Sequence, residues 1–134
     1  MTLELVKLFW SCLLSATIIP FPSEVYFVFF ITYSTVHPLL IISIASLGNC
    51  IGGVINYFLG RFAYSRLKVK TSIKSKVIVA KYGIWSALIS WVPLLGDPIL
   101  VLLGFYKTQM FYTLTLMSLG KILRYCTVYW LINL

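Results

Sequence analysis

Pro93-Leu94-Leu95-Gly96-Asp97-Pro98 lies in the middle of an apolar run. Two prolines, a glycine and a carboxylate interrupt what would otherwise read as a membrane helix. Proline lacks a backbone N–H and its ring clashes with the preceding turn, so the helical ladder breaks there. An ionised Asp at the bilayer centre costs about 2.5–3.5 kcal/mol on the insertion scale. The chain carries this combination twice. Pro20-Phe21-Pro22-Ser23-Glu24 has the same proline-to-acid spacing and also separates two apolar runs.

The composition around these breaks is that of a membrane protein. The 134 residues are 60% hydrophobic, with a mean hydropathy of +0.97. A soluble domain cannot hide that much apolar surface, so a single integral membrane domain over 1–134 is expected. The net charge of +8 then points to membrane lipids with anionic headgroups, not to nucleic acid. Cys12, Cys50 and Cys126 fall in apolar segments without paired spacing and read as small apolar residues. His37 stands alone before Pro38 and reads as a loop residue. No basic start with a short apolar core and a small-residue cleavage site is present, so a removable signal peptide is not expected.

Outward from the first break, Leu5 to Ile19 and Glu24 to Val36 are apolar arms of about 13–15 residues, against the ~20 that a spanning helix needs. Two short arms around a proline break suggest a re-entrant hairpin. Backbone that leaves the helix at membrane depth must be buried in protein or face a wet cavity. Pro38 opens a longer run to Gly60, roughly 34 Å as a helix and enough to span. Gly48, Gly52, Asn56 and Gly60 recur every fourth residue along it, with Gly53 beside them, as a stripe for close helix packing. Asn49 and Asn56 are amides that need partners in lipid. Residues 61–81 carry Arg61, Arg66, Lys68, Lys70, Lys74, Lys76 and Lys81, seven of the eleven cations. This basic loop is expected on the cytoplasmic side, against anionic headgroups. After Tyr82-Gly83 the pattern restarts: an arm from Ile84 to Val92, the break, an arm from Ile99 to Tyr106, and a second spanning run from Phe111 to Asn133.

The halves match in order. Pro20 and Glu24 align with Pro93 and Asp97, 73 residues on, and Ser46-Leu47-Gly48 aligns with Ser118-Leu119-Gly120, 72 residues on. Repeat 1 covers about 5–60 and repeat 2 about 82–133. A hairpin plus one span crosses the membrane an odd number of times, so the second copy must be inverted. The expected fold is all-α and integral to the membrane: two inverted repeats, each a re-entrant helical hairpin plus one transmembrane helix. Four full crossings by the arms would give the same sidedness.

Few residues carry chemistry. Asp97 before Pro98 suits an N-cap followed by proline at the first helical position, and Ser23-Glu24 could cap its own arm. Alternatively both acids face a shared polar cavity and exchange protons. Lys121 and Arg124 are three apart, hence on one helix face. They could neutralise the two acids or, as cations suited to phosphate, draw in a headgroup. No Walker loop, metal-ligand spacing or nucleophile elbow is present, so neither enzyme activity nor a metal or cofactor is expected.

Longer motifs identify a relationship. Phe9-Trp10-Ser11, Leu14-Ser15-Ala16-Thr17, Pro20 and Ser23-Glu24-Val25 resemble the opening of YqaA-type proteins, a short branch of the DedA superfamily (also called the VTT or SNARE-associated Golgi protein domain). Leu47-Gly48-Asn49, Gly52-Gly53, Asn56-Tyr57 and Leu59-Gly60-Arg61-Phe62 continue the resemblance. Ser90-Trp91-Val92-Pro93 with Gly96-Asp97, and Leu119-Gly120-Lys121 with Leu123-Arg124-Tyr125, complete it. The resemblance implies an inner-membrane protein with two re-entrant hairpins in inverted repeats. It implies a role in moving lipids between leaflets, undecaprenyl phosphate and phospholipids among them, with proton coupling. Family acids and arginines needed for activity map onto Glu24, Asp97 and Arg61. The second break departs from the Pro-Gly-x-Arg pattern of longer members, since no arginine follows Gly96.

Three functions follow as candidates. The first is lipid transport between leaflets, on Glu24, Asp97, Arg61, Lys121, Arg124, Asn49 and Asn56, with breaks at Pro20, Pro22, Pro93, Gly96 and Pro98. The second is proton-coupled transport of a small solute. The third is a scaffold that binds a membrane partner, or a second copy as a homodimer, through the Gly48, Gly52 and Gly60 stripe, with Gly53 and Gly120 as further packing positions.

Overall fold

The computed structural model describes residues 2–17, 23–67, 73–92 and 95–134. Pro20, Pro22 and Pro93 of the breaks, and Lys68 and Lys70 of the basic segment, lie outside the described residues. So do the side chains of Lys74 and Lys76. The described chain is helical throughout: α1 (Thr2–Thr17), α2 (Ser23–Tyr33), α3 (Pro38–Leu67), α4 (Ile73–Ser86), a 3₁₀ turn (Ala87–Trp91), α5 (Gly96–Phe105) and α6 (Met110–Ile132).

α3 is the axis of the fold. Pro38 suits a helix start, where its missing N–H leaves no bond unmade. Exposed His37 sits just before it, and its Nδ1 accepts the Leu39 N–H at 3.4 Å. At 30 residues the helix is roughly 45 Å long, against ~30 Å of hydrocarbon. It therefore runs on past Gly60, where the sequence reading ended it, and carries Arg61 and Arg66 beyond the apolar layer. Among the described helices it alone is both long and apolar enough to cross a membrane by composition. α6 has the length expected of the second span, 23 residues, but Lys121 and Arg124 dilute its apolarity.

The basic segment is shorter as a loop than the sequence suggested. α4 reaches back to Ile73 and absorbs much of it. Gly83, read as a boundary, lies inside α4, where a Cβ would press on Leu103 of α5. The arm that follows tightens into the 3₁₀ turn before the second break.

The glycine stripe is used inside the chain. A Cβ at Gly48 would meet the Phe9 carbonyl oxygen of α1 at 2.6 Å. A Cβ at Gly60 would overlap the Val101 carbonyl of α5, and one at Gly104 would overlap the Tyr57 carbonyl of α3. An every-fourth-residue row drifts about 40° per step on a 3.6-residue helix. Its upper end therefore faces α1 and its lower end faces α5. Gly52, Gly53 and Gly120 are buried as well. The stripe is thus buried against neighbours in the same chain.

α3 and α6 run antiparallel. Gly53 lies beside Met117 and Lys121, and Asn49 beside Lys121 and Tyr125. Two apolar clusters pack at either end of this pair. One joins Leu8, Cys12, Phe27, Phe30, Ile41, Ile42, Ala45 and Tyr125. The other joins Tyr57, Ala87, Leu100, Leu103 and Met117. The outer surface is apolar too: Leu39, Phe29, Phe62, Leu123 and Phe111 are each more than half exposed. A patch of that extent on a soluble protein would drive association; in a bilayer it is the lipid-facing surface.

The element boundaries recur. α2 begins at Ser23 and α5 at Gly96; α3 begins at Pro38 and α6 at Met110. These are the offsets of 73 and 72 residues that the sequence motifs share.

Candidate functional site

Between the two apolar clusters lies a thin polar layer built on α6. Lys121 and Arg124 face inward with Met117, Gly120 and Tyr125, the spacing of one helix face. Lys121 is 1% exposed, Arg124 8%, Asn49 2% and Asn56 3%. Each cation meets an acid at the start of a short arm. Lys121 Nζ lies 2.9 Å from Asp97 Oδ1, in the first turn of α5. Arg124 Nη2 lies 2.8 Å from Glu24 Oε1, in the first turn of α2. The four charges sum to zero. A low-dielectric interior demands this, because an unpaired ion there costs several kcal/mol.

The two pairs differ in completeness. Lys121 also donates to the Asn49 carbonyl at 2.8 Å and to Asn49 Oδ1 at 2.7 Å. With Asp97 these account for all three ammonium donors. Asn49 in turn donates from Nδ2 to the Tyr125 hydroxyl at 3.0 Å. Arg124 donates to Ser23 Oγ at 3.3 Å besides Glu24. Its Nε is buried and has no hydrogen-bond partner among the described residues. A cavity of about 220 Å³ adjoins this arginine, lined by Glu24, Trp91, Val92, Arg124, Thr127, Val128 and Leu131. Binding pockets for whole drug-sized ligands run to ~300–1,000 Å³. This one is smaller, with apolar side chains around Glu24 and Arg124.

Asp97 does not cap α5 as its sequence position suggested. The helix starts at Gly96, with Leu95 as its N-cap and no side-chain cap bond. The carboxylate turns to Lys121 instead, which a charge-assisted bond favours over a neutral backbone donor. Asn56 stands apart from the polar layer and donates to the Ala16 carbonyl, tying α3 to the end of α1. Arg61 is exposed on the far part of α3 and does not join the cluster. Of the seven pathway residues expected, Glu24, Asp97, Lys121, Arg124 and Asn49 come together, while Asn56 and Arg61 do not.

Sequence reading missed Tyr125 and the cavity wall as parts of the site. Their signal was present: Tyr125 follows Lys121 by four residues, and Thr127, Val128 and Leu131 follow Arg124 by three, four and seven, all one helix face. Trp91 and Val92 were not recoverable, since only the tertiary fold brings the end of the 3₁₀ turn beside α6. No group of three or more metal-ligating side chains occurs among the described residues.

The chain is 36% identical over 126 residues to "Inner membrane protein YqaA" of Escherichia coli (strain K12), a match covering 94% of this chain and 89% of that protein. The same holds for "Inner membrane protein YqaA" of Shigella flexneri. An uncharacterized protein of Haemophilus influenzae is 30% identical over 139 residues, covering 96% of this chain and 87% of its own. No family model and no solved structure matches the chain. The protein resides in the inner membrane, as these relatives and its apolar helices indicate. Aligned over nearly the whole of both chains, it belongs to the family of the inner membrane protein YqaA.

Proposed function

We propose that this protein moves lipids with phosphate headgroups, phospholipid or polyprenyl phosphate, from one leaflet to the other. One observation carries the reading: two buried cations on one face of α6, each held by an acid at the start of a short arm, beside a small cavity with an apolar rim. Trp91 and Leu131 on that rim are largely exposed. A headgroup entering there reaches Arg124 while its tails stay among lipids. Protonation of Glu24 or Asp97 would free the cation it neutralises, which is a route to proton coupling.

The same reading takes the fold as two inverted repeats. α3 and α6 stand at equivalent repeat positions and run antiparallel. Asn49 and Lys121, equivalent at an offset of 72, hydrogen-bond to each other. Two equivalent residues meet when both lie near the axis relating the copies, the midplane position at which inverted-repeat transporters bind substrate. In this reading α2 and α5 are return arms of re-entrant hairpins, as in the DedA superfamily that the motifs resemble. The cations at the far end of α3 lie on the cytoplasmic side. Arg61, Arg66 and Lys107, whose ammonium lies 4.5 Å from the Tyr64 ring, there meet anionic headgroups.

Proteoliposomes test the proposal with two readouts. The account expects the purified protein to speed the exchange of a labelled phospholipid or polyprenyl phosphate between leaflets. Uptake of a water-soluble solute with unchanged leaflet distribution would replace lipid transport with solute transport.

A further inference from the structure

The two ion pairs are not equivalent, and their difference assigns them different work. We propose that Arg124–Glu24 is an exchangeable latch on α2: a phosphate monoester or diester entering the cavity takes Arg124 from Glu24 and releases α2, while α5 stays fixed. This rests on the transport reading above and adds which arm moves and what moves it.

Lys121 has no donor left to offer a ligand, because Asn49 and Asp97 occupy all three. Arg124 has donors to spare. Its Nε is buried without a partner among the described residues, and Arg124 is one of the residues that line the cavity. A guanidinium presents five donors in a planar fork suited to phosphate oxygens. A phosphate that takes the place of Glu24 therefore meets a guanidinium whose donors are not all used. The cavity's apolar side chains, Trp91, Val92, Val128 and Leu131, favour a phosphate that carries a hydrocarbon tail over the free ion.

The arms are held differently. α5 is seated backbone to backbone on α3, through Gly104 against Tyr57 and Gly60 against Val101. α2 contains no glycine and buries only Ser23, Phe27 and Phe30. Two of its polar anchors, Ser23 and Glu24, converge on the single Arg124. Its main apolar anchor is Phe27 against Tyr125, with ring centroids 4.8 Å apart. Removing Arg124 from Ser23 and Glu24 leaves α2 held by apolar packing alone, Phe27, Phe30 and Ile31 against the cluster of α1, α3 and Tyr125, whereas nothing in the exchange touches the α5 seat.

Hydrogen exchange read by mass spectrometry on the full chain in maltoside micelles tests the latch. The probes are dodecyl phosphate, inorganic phosphate and dodecanol. Dodecyl phosphate should speed exchange of the α2 amides roughly tenfold, the weight of one lost charged hydrogen bond, and leave α5 unchanged. Dodecanol should do nothing. An equal response to inorganic phosphate would support the exchange and assign the ligand to free phosphate instead of a lipid headgroup. Glu24→Gln and Arg124→Gln should each leave α2 fast from the start and unresponsive, so the test survives if one variant fails to fold. An α2 that ignores every probe, gains protection, or changes together with α5 would overturn the latch. Lipid exchange by the same preparation separates the two claims. Transport with a silent α2 removes the latch alone, and a responsive α2 without transport removes the transport reading alone.

Discussion

Lys121 and Arg124 differ by three positions and by what surrounds them. At Lys121 the ammonium is the centre of a closed set: Asn49 from α3 and Asp97 from α5. Lys121→Met removes the cation and leaves a carboxylate and an amide in the interior without their donor. Loss of one partner of a buried pair costs about 3–5 kcal/mol. Lys121→Met should therefore lower the thermal midpoint in detergent sharply, and adding Asp97→Leu should recover much of the loss, as both charges are then gone. A thermal-shift series on the single and double variants checks this; equal midpoints for wild type and Lys121→Met would contradict it. Glu24, Asp97, Lys121 and Arg124 were legible in the sequence because charges inside apolar runs have few roles open to them. Their pairing as internal ion pairs was one of two readings open there. Asn56 is the same residue type as Asn49, but its amide donates to the Ala16 carbonyl in the last turn of α1. Only the position of that helix end distinguishes them.

At the scale of elements, α3 organises everything that packs. Its glycines let α1 and α5 approach to backbone distance, and hydrocarbon packing at such contacts falls off within a fraction of an ångström. Gly60→Leu has no flexible neighbour to move, because the obstacle is the Val101 carbonyl and the Phe105 backbone nitrogen. It should abolish the monodisperse peak in size-exclusion chromatography. Gly53→Ala meets chiefly the Met117 thioether, a side-chain end, with the tip of Leu100 and the fixed Lys121 ammonium each at 3.1 Å, and should be milder. Leu59, half exposed on the lipid side, should tolerate Ala. If all three variants behaved alike, the packing account would be wrong. The stripe was visible from its four-residue period, but not which helices it served, since a helix row precesses and its neighbours are set by the tertiary fold. Charge marks 61–81 as a surface segment, and its later part is helical, within α4. Helix formation depends on propensity, and the stretch from Ile73 to Tyr82 has no proline or glycine to stop α4.

For the whole molecule, the repeat decides the account. Recurrent element boundaries, antiparallel α3 and α6, and a bond between the equivalent Asn49 and Lys121 fit two copies related by an axis near the polar layer. The matching proline-to-acid spacings stand out in the sequence because prolines and acids are rare in membrane runs, where apolar residues interchange freely. The inequality of the copies was not legible. α5 locks onto α3 through glycines while α2 hangs on Arg124, and nothing in either arm's hydropathy announces it. The lipid-transport reading makes the carboxylates part of the path instead of mere supports. The most direct measurement is leaflet exchange of a labelled phospholipid and a polyprenyl phosphate in proteoliposomes, wild type beside Asp97→Asn at matched incorporation. The account predicts exchange by wild type and its loss in Asp97→Asn. Full exchange by the variant, or none by well-folded wild type with either lipid, would contradict it.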